Sequence, residues 1–327
     1  MSPSDHSQII ASNDSFQSKL SISEIESGVE LRQIEHFLAV AGELSFTRAA
    51  ERAHVVQSAL STSVAKLERE LGVQLFDRSR QQITLTAAGE RFRVHAFEVL
   101  RTTKAATESV GEFRGSLSGT VEFGSLISFG PLDVAGALGE FHRAHPHVRL
   151  RLRLSQSGAS AYLTALTEGS LDLALVSMPN RFPAQLDLRL LFEEPMAFVC
   201  RTDHPLARAA RLDIADLAAE ELVGFPSDFG LRRLVDNAFH AAGVHAQTQY
   251  EVPAGFAAIA ELVSNGLGTT FMPRSEARRF PGLHASDLTN PVTWQVYLAS
   301  PPVEQMTPAT ARLADTLLAA AAQARAR

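Results

Sequence analysis

Apolar residues recur at helical spacing through most of the first hundred positions. Leu31, Ile34, Phe37, Leu38 and Ala41 form one stripe, and Phe46, Ala49, Ala50 and Ala53 form a second behind Ser45, a residue suited to an N-cap. Leu60, Val64, Leu67 and Leu71 form a third, so three short helices are predicted to close a small core. Only His54, Val55 and Val56 separate the second helix from the third, which leaves room for a turn and nothing else. The outer side of the third helix carries Ser58, Thr62, Ala65 and Arg69, with Gln57 and Ser61 at its shoulder. Small polar side chains let a helix lie close against another surface, whereas a purely solvated helix carries more Lys and Glu. Such a helix-turn-helix fits the major groove of double-stranded DNA.

Gly72 is a candidate C-cap, and residues 75–86 (LFDRSRQQITLT) predict a two-stranded wing with Arg78 and Arg80 near its tip, placed to reach phosphates. Thr86 then precedes a stretch without Gly or Pro from 90 to 110. Phe92, Ala96, Val99, Thr103, Ala106, Val110 and Phe113 alternate steps of four and three along it, the seam of a coiled coil. Pairing with a second copy would bury that seam; packing on its own domain is the alternative.

Beyond the joint at 115–119 the period changes. Strand-like TVEFG, VRLRLRL, LDLALV, MAFVCR, QYEV and TTFM alternate with helical segments at about 131–142, 159–168, 231–242 and 254–265, and an Ala-rich helix opened by Thr307 and Pro308 ends the chain. This βα alternation predicts a parallel sheet. Extended segments near 188–194 and 292–297 join two such sets, which suggests two lobes around a cleft. VRLRLRL puts Arg149, Arg151 and Arg153 on one face, a pattern for an edge strand, because a central parallel strand is apolar on both faces.

Composition narrows the choice of function. With 45% apolar and 20% charged residues the chain is expected to fold into globular domains. No apolar run reaches bilayer length and no export signal opens the sequence, so the expectation is a cytoplasmic protein without a membrane partner. The single cysteine, Cys200, excludes an internal disulfide and a Cys-rich zinc site. His142, His145 and His147 lie in a helix-to-strand turn without a nearby carboxylate or thiol, and no metal site is predicted there. The formal charge of −6 argues against nucleic-acid binding, but it is unevenly spread: −3 over residues 1–29, +1 over 30–114 and −4 over the rest. The least acidic region holds the helix-turn-helix. No GxSxG, HExxH, P-loop or complete GxGxxG is present, so no enzyme and no cofactor are expected.

Residues 31–89, from LRQIEHFLAVAGELSFTRAAERA through LGVQLFDRS to LTAAG, closely resemble the DNA-binding module of LysR-type transcriptional regulators. The match is ungapped, with two departures: Val56 stands where the family usually has a capping Ser, and Thr62 where it often has Arg. GSLDLALV, DHPLA and NGLGTTFMPRS match, less sharply, the family's effector-binding domain. The resemblance implies a multi-domain chain. Residues 1–29, rich in Ser and without periodicity, read as a flexible tail on composition alone, and the resemblance then places an α-rich winged helix-turn-helix at 30–88 and a linker and dimerisation helix at 89–115. A two-lobed α/β domain like a type 2 periplasmic binding protein would follow at 120–327, with lobe I at 120–194 and 296–327 and lobe II at 195–295. The implied partners are promoter DNA, a second copy in a dimer or a tetramer, a small-molecule effector and, as a further candidate, RNA polymerase. DNA contacts are expected from Gln57, Ser58, Ser61 and Thr62 to bases and from Arg48, Arg78 and Arg80 to phosphates. Ser125 and Ser128 after TVEFG, Gln156 and Ser157 after VRLRLRL, and Phe225 in the segment 224–229 are the candidates for holding the effector, with a carboxylate as its expected class. The alternative for the serines is that they only cap helices. A binding protein fused to a DNA module is the second reading of the C-terminal part.

Overall fold

The computed structural model describes residues 28–79, 82–112, 117–126, 128–154, 158–177 and 183–325. The expectations for most of the N-terminal tail, Arg80, Phe113, Gln156, Ser157 and the Val110 side chain fall outside the described residues. The chain forms two compact units, divided between Leu100 and Arg101 within one long helix.

The first unit contains α1 (Leu31–Glu43), α2 (Phe46–Ala53), α3 (Gln57–Leu71), β1 (Phe76–Asp77), β2 (Thr84–Leu85) and the start of α4 (Ala87–Glu112). The apolar stripes turn inward: Phe37, Val40, Ala49, Leu60, Val64 and Leu67 have no exposed surface. The Phe37 ring meets Phe76 at 5.3 Å and Phe92 edge-on at 5.0 Å, an arrangement that adds quadrupolar attraction to burial. Ser45 Oγ accepts from Arg48 N at 3.4 Å, and Gly72 takes the left-handed conformation (φ 66°) that ends α3. Thr86 Oγ1 accepts from Gly89 N at 3.0 Å and so caps the start of α4. A side chain at Gly89 would bring its Cβ within 2.2 Å of the Leu75 carbonyl oxygen, so this crossing of helix and wing requires glycine.

One part of the predicted seam belongs elsewhere. Ala96 is buried and Phe92 is packed in the core of the first unit, because the first turns of α4 lie on α1 and the wing. At that level the helix is packed within its own chain.

The second unit is built on a sheet of eight strands in the order β4-β3-β5-β12-β6-β11-β7, with β10 also on β6. These are β3 (Gly119–Ser125), β4 (Val148–Leu154), β5 (Leu173–Val176), β6 (Asp187–Arg201), β7 (Arg211–Leu212), β10 (Thr270–Pro273), β11 (Leu283–Leu288) and β12 (Thr293–Ser300). A separate parallel pair, β8 (Glu221–Gly224) and β9 (Gln247–Glu251), lies beside it. β4 is an edge strand as its alternation predicts, and Arg151 and Arg153 bond Glu122 on β3 at 3.2 and 2.8 Å. The expected parallel sheet is corrected to a mixed one. β3 is parallel to β4 and β5, but β12 runs antiparallel to β5 and β6, and β10 and β11 run antiparallel to β6. The reason is that β6 is one fifteen-residue strand where two separate segments were expected. Its first part pairs with β12 as far as Pro195, and from Met196 it pairs with β10 and β11. Proline, which has no amide proton for a ladder, stands at the changeover.

The two ends of β6 define two lobes. The helices α5 (Val134–Ala144), α6 (Gly158–Thr167) and α10 (Pro308–Arg325) belong to the lobe of β3, β4 and β5, and α7 (Gly230–Ala241), α8 (Phe256–Ser264) and α9 (Arg274–Ala277) to the other. Near the end of α4, Lys104 donates to the Thr120 carbonyl at 3.0 Å and lies 3.4 Å from Asp172, whose carboxylate accepts from Glu122 N at 2.8 Å. The end of that helix is thus tied to β3 and to the start of β5. Among the described residues no helix is long and apolar enough to cross a membrane.

Candidate functional site

Two sites follow from these elements, one on α3 and one between the lobes. On α3 the inward stripe of Leu60, Val64 and Leu67 forces the opposite side outward, so Gln57, Ser58 and Thr62 are exposed and Ser61 is half-buried. Thr62 Oγ1 donates to the Ser58 carbonyl at 2.8 Å, which ties up the hydroxyl proton and fixes the side chain. Val56 is the N-cap, extended (φ −71°, ψ 135°), with no side-chain bond to the helix and 71% exposed. The basic residues are less free than the sequence suggested. Arg48 donates to the Glu43 carbonyl and faces the Glu43 carboxylate at 3.6 Å. Arg78 bonds Glu68 at 2.8 Å and stacks over the Phe46 ring at 4.8 Å. Glu68, which sequence reasoning passed over, also accepts from Leu75 N and Phe76 N at 2.9 and 3.1 Å, so it anchors the entrance of the wing.

Between the lobes lies a pocket with about 510 Å³ of empty space, its mouth included. One lobe contributes Ser125, Ser128, Tyr162 and Ser177; the other contributes Phe229, Gly230, Leu231 and Phe256. Trp294, from the strand that passes between them, closes it. Neither serine of the first loop caps a helix. Ser125 ends β3 and its Oγ donates to the Leu126 carbonyl at 3.2 Å, while α5 is capped by Asp133. Ser128 Oγ donates to Glu276 and accepts from Gly130 N at 3.0 Å, which ties the two lobes beside the pocket. Tyr162 Oη lies 2.6 Å from the Ser125 carbonyl and 2.8 Å from that of Arg153, and so fixes the wall.

Phe225 is corrected from wall to support. It is buried behind Phe229, with the rings stacked at 5.4 Å, and edge-on to Phe256 at 5.2 Å, and these two outer rings face the pocket. A Cβ on Gly230 would come within 2.2 Å of the Ser177 carbonyl oxygen, so glycine lets the first turn of α7 approach the opposite lobe. The N-cap residues of α7 and α8, Phe229 and Gly255, give the backbone donors of the first turns no side-chain bond. No Lys, Arg, Asp or Glu is among the described lining residues. Behind the pocket, Glu194 accepts from Ser275 N and Oγ, both at 2.8 Å. Burial pushes its carboxyl above the usual range, against the lowering effect of those bonds. Sequence reasoning missed Tyr162, Phe229, Phe256 and Trp294. The one available signal was Trp294, the sole tryptophan, inside a segment expected to join the lobes.

Comparison with known proteins covers both units. Residues 31–90 match the family model described as bacterial regulatory helix-turn-helix protein, lysR family, and residues 114–322 match the LysR substrate binding domain. The hydrogen peroxide-inducible genes activator of Dickeya chrysanthemi is 30% identical over 245 residues, 75% of this chain and 79% of that protein. The transcriptional dual regulator GltC of Bacillus subtilis is 32% identical over 248 residues, 76% of this chain and 81% of that protein. A solved full-length OxyR variant from Pseudomonas aeruginosa superposes with a TM-score of 0.68 at 25% identity, over 90% of this chain and 94% of that one.

Proposed function

The chain belongs to the LysR family of DNA-binding transcriptional regulators, and from that premise we propose that α3 reads operator bases while a small carboxylate seated between the lobes sets the response. The protein is a regulator and no residue is asked to do covalent chemistry. For base contact the reading rests on the exposed row Gln57, Ser58 and Thr62 with Ser61 at its edge, and for phosphate contact on Arg48, Arg78 and Arg80. Because Arg48 and Arg78 already hold acidic partners, each has only part of its guanidinium left for a phosphate, and affinity leans on joining several modules. The dimer seam of this proposal is Val99, Thr103, Ala106 and Val110, with the tetramer and RNA polymerase as further partners. The division into a DNA module (30–88), a linker (89–115) and an effector domain (120–327) is part of the same proposal.

The observation that carries the effector class is the pocket's combination of aromatic walls with uncapped helix starts. Phe229, Phe256 and Trp294 offer a ring or short aliphatic body a place to leave water, and the dipoles of α7 and α8 favour negative charge. Ser125 and Ser128 border the place where such a carboxylate would lie, and Gln156 and Ser157, outside the described residues, are retained as candidates. The peroxide response named for the Dickeya relative finds no support in this chain. Its single thiol, Cys200, is buried and is pushed up to about 11 by that burial, so little of it is thiolate near neutrality.

Thermal unfolding with benzoate and with its neutral isostere benzamide tests the charge preference. Benzoate is expected to raise the transition more than benzamide, and Ser125→Ala to reduce that gain without changing DNA binding. Equal shifts for the two ligands would remove the carboxylate from the proposal and leave an apolar effector.

A further inference from the structure

The N-cap of α3 carries two costs at once. A Ser, Thr, Asp or Asn there would accept a backbone bond, which Val56 cannot do, and its isopropyl group is left in water. The neighbouring Val55 packs against the core and Val56 does not, so core packing does not account for the residue. Local rules broken without a folding gain point to a contact made outside the fold.

The surroundings specify that contact. From Val56 to Ala65 the helix carries neither Lys nor Arg, so its first turns hold none of the guanidinium groups that read guanine. Thr62, whose hydroxyl is bonded back to Ser58, offers its methyl, and Ala59 is exposed between the two. In a major groove the apolar feature of a base edge is the 5-methyl of thymine. A β-branched side chain is stiff at χ1, so Val56 loses little freedom in meeting such a group.

We propose that Val56 is a specificity-determining residue that packs against a thymine 5-methyl group in each half-site, with stability given up at the cap in exchange for base reading. This rests on α3 being the base-reading helix. The test selects duplexes from a random library with the full chain, then replaces each dT of the selected site singly by dU, which removes only the methyl. The wild-type chain is expected to lose roughly fourfold in affinity at one dT per half-site, the worth of about one methyl group leaving water. Val56→Ser and Val56→Ala should bind that site with no further loss on the dU replacement, while affinity for an unrelated duplex stays within about twofold. Thr62→Ser keeps the hydroxyl bond and removes its methyl, and should leave the dU penalty in place. A penalty that persists in both Val56 variants, or that only Thr62→Ser removes, overturns the proposal. A selected site with no dU-sensitive thymine overturns it while leaving α3 as the reader, whereas a library that yields no preferred sequence overturns both.

Discussion

The face of α3 and the pocket between the lobes are opposite solutions to recognition. The first is a continuous run of residues on one helix, exposed because the other side of that helix is core, and its chemistry sits in neighbouring positions. The pocket joins Ser125, Tyr162, Ser177, Phe229, Phe256 and Trp294 from six separate segments, and it exists only when both lobes have formed. A local site should therefore fail with its small domain, whereas an assembled one should respond to any change in how closely the lobes approach.

The largest effect is expected from breaking the core under the local site. Phe37→Ala empties a ring that meets both Phe76 and Phe92 and should cost about 3–5 kcal/mol, enough to abolish DNA binding. Calorimetry should then show the first unit's transition lost or much lowered while that of the second unit stays in place. Simultaneous loss of both transitions would mean that the units do not unfold separately.

Gly230→Val is the corresponding break in the assembled site. Its side chain would strike the Ser177 carbonyl, forcing the lobes apart at about 1–3 kcal/mol. Stabilisation by benzoate should fall sharply in thermal unfolding, with affinity for DNA unchanged. A smaller effect of opposite sign is expected at the reading helix, where Val56→Ser supplies the missing cap. Urea denaturation of the full chain should show the first transition raised by about 1 kcal/mol, and an unchanged or lowered midpoint would mean that the α3 donors are already satisfied.

The smallest effect concerns Glu194. Its carboxyl is raised by burial, so the folded chain holds the proton where the unfolded chain has released it, and stability falls as pH climbs above the ordinary value of 4.5. Glu276 opposes the charge as well, while Arg278 and the Ser275 donors favour it. Glu194→Gln should flatten that part of the stability profile in urea titrations at several pH values. An unaltered slope would assign the dependence to another group.

The same contrast explains what could be read from the sequence. The helices of the first unit were legible because each buries one stripe, and the edge position of β4 was legible from its alternating arginines. The mixed sheet was not, since nothing local in 187–201 tells that one strand changes partners at Pro195. Ser125 and Ser128 were found at the pocket because loops after strands carry ligands in such sheets. Phe229 and Phe256 were missed because an aromatic residue at a helix start looks the same in sequence whether it faces core or cleft, and Phe225 was chosen where Phe229 stands outermost. The inward turn of Phe92 and Ala96 was hidden for a related reason: an apolar stripe does not name its partner.

The central claim is that base reading belongs to α3 and effector response to the pocket. Fluorescence anisotropy of the full chain on the duplex upstream of its own gene, set against an unrelated duplex, measures the division directly. Gln57→Ala with Ser61→Ala should remove the preference for the upstream duplex and leave benzoate stabilisation intact, whereas Phe229→Ala should keep the preference and lose the stabilisation. Preference kept in the first variant and lost in the second would contradict the account.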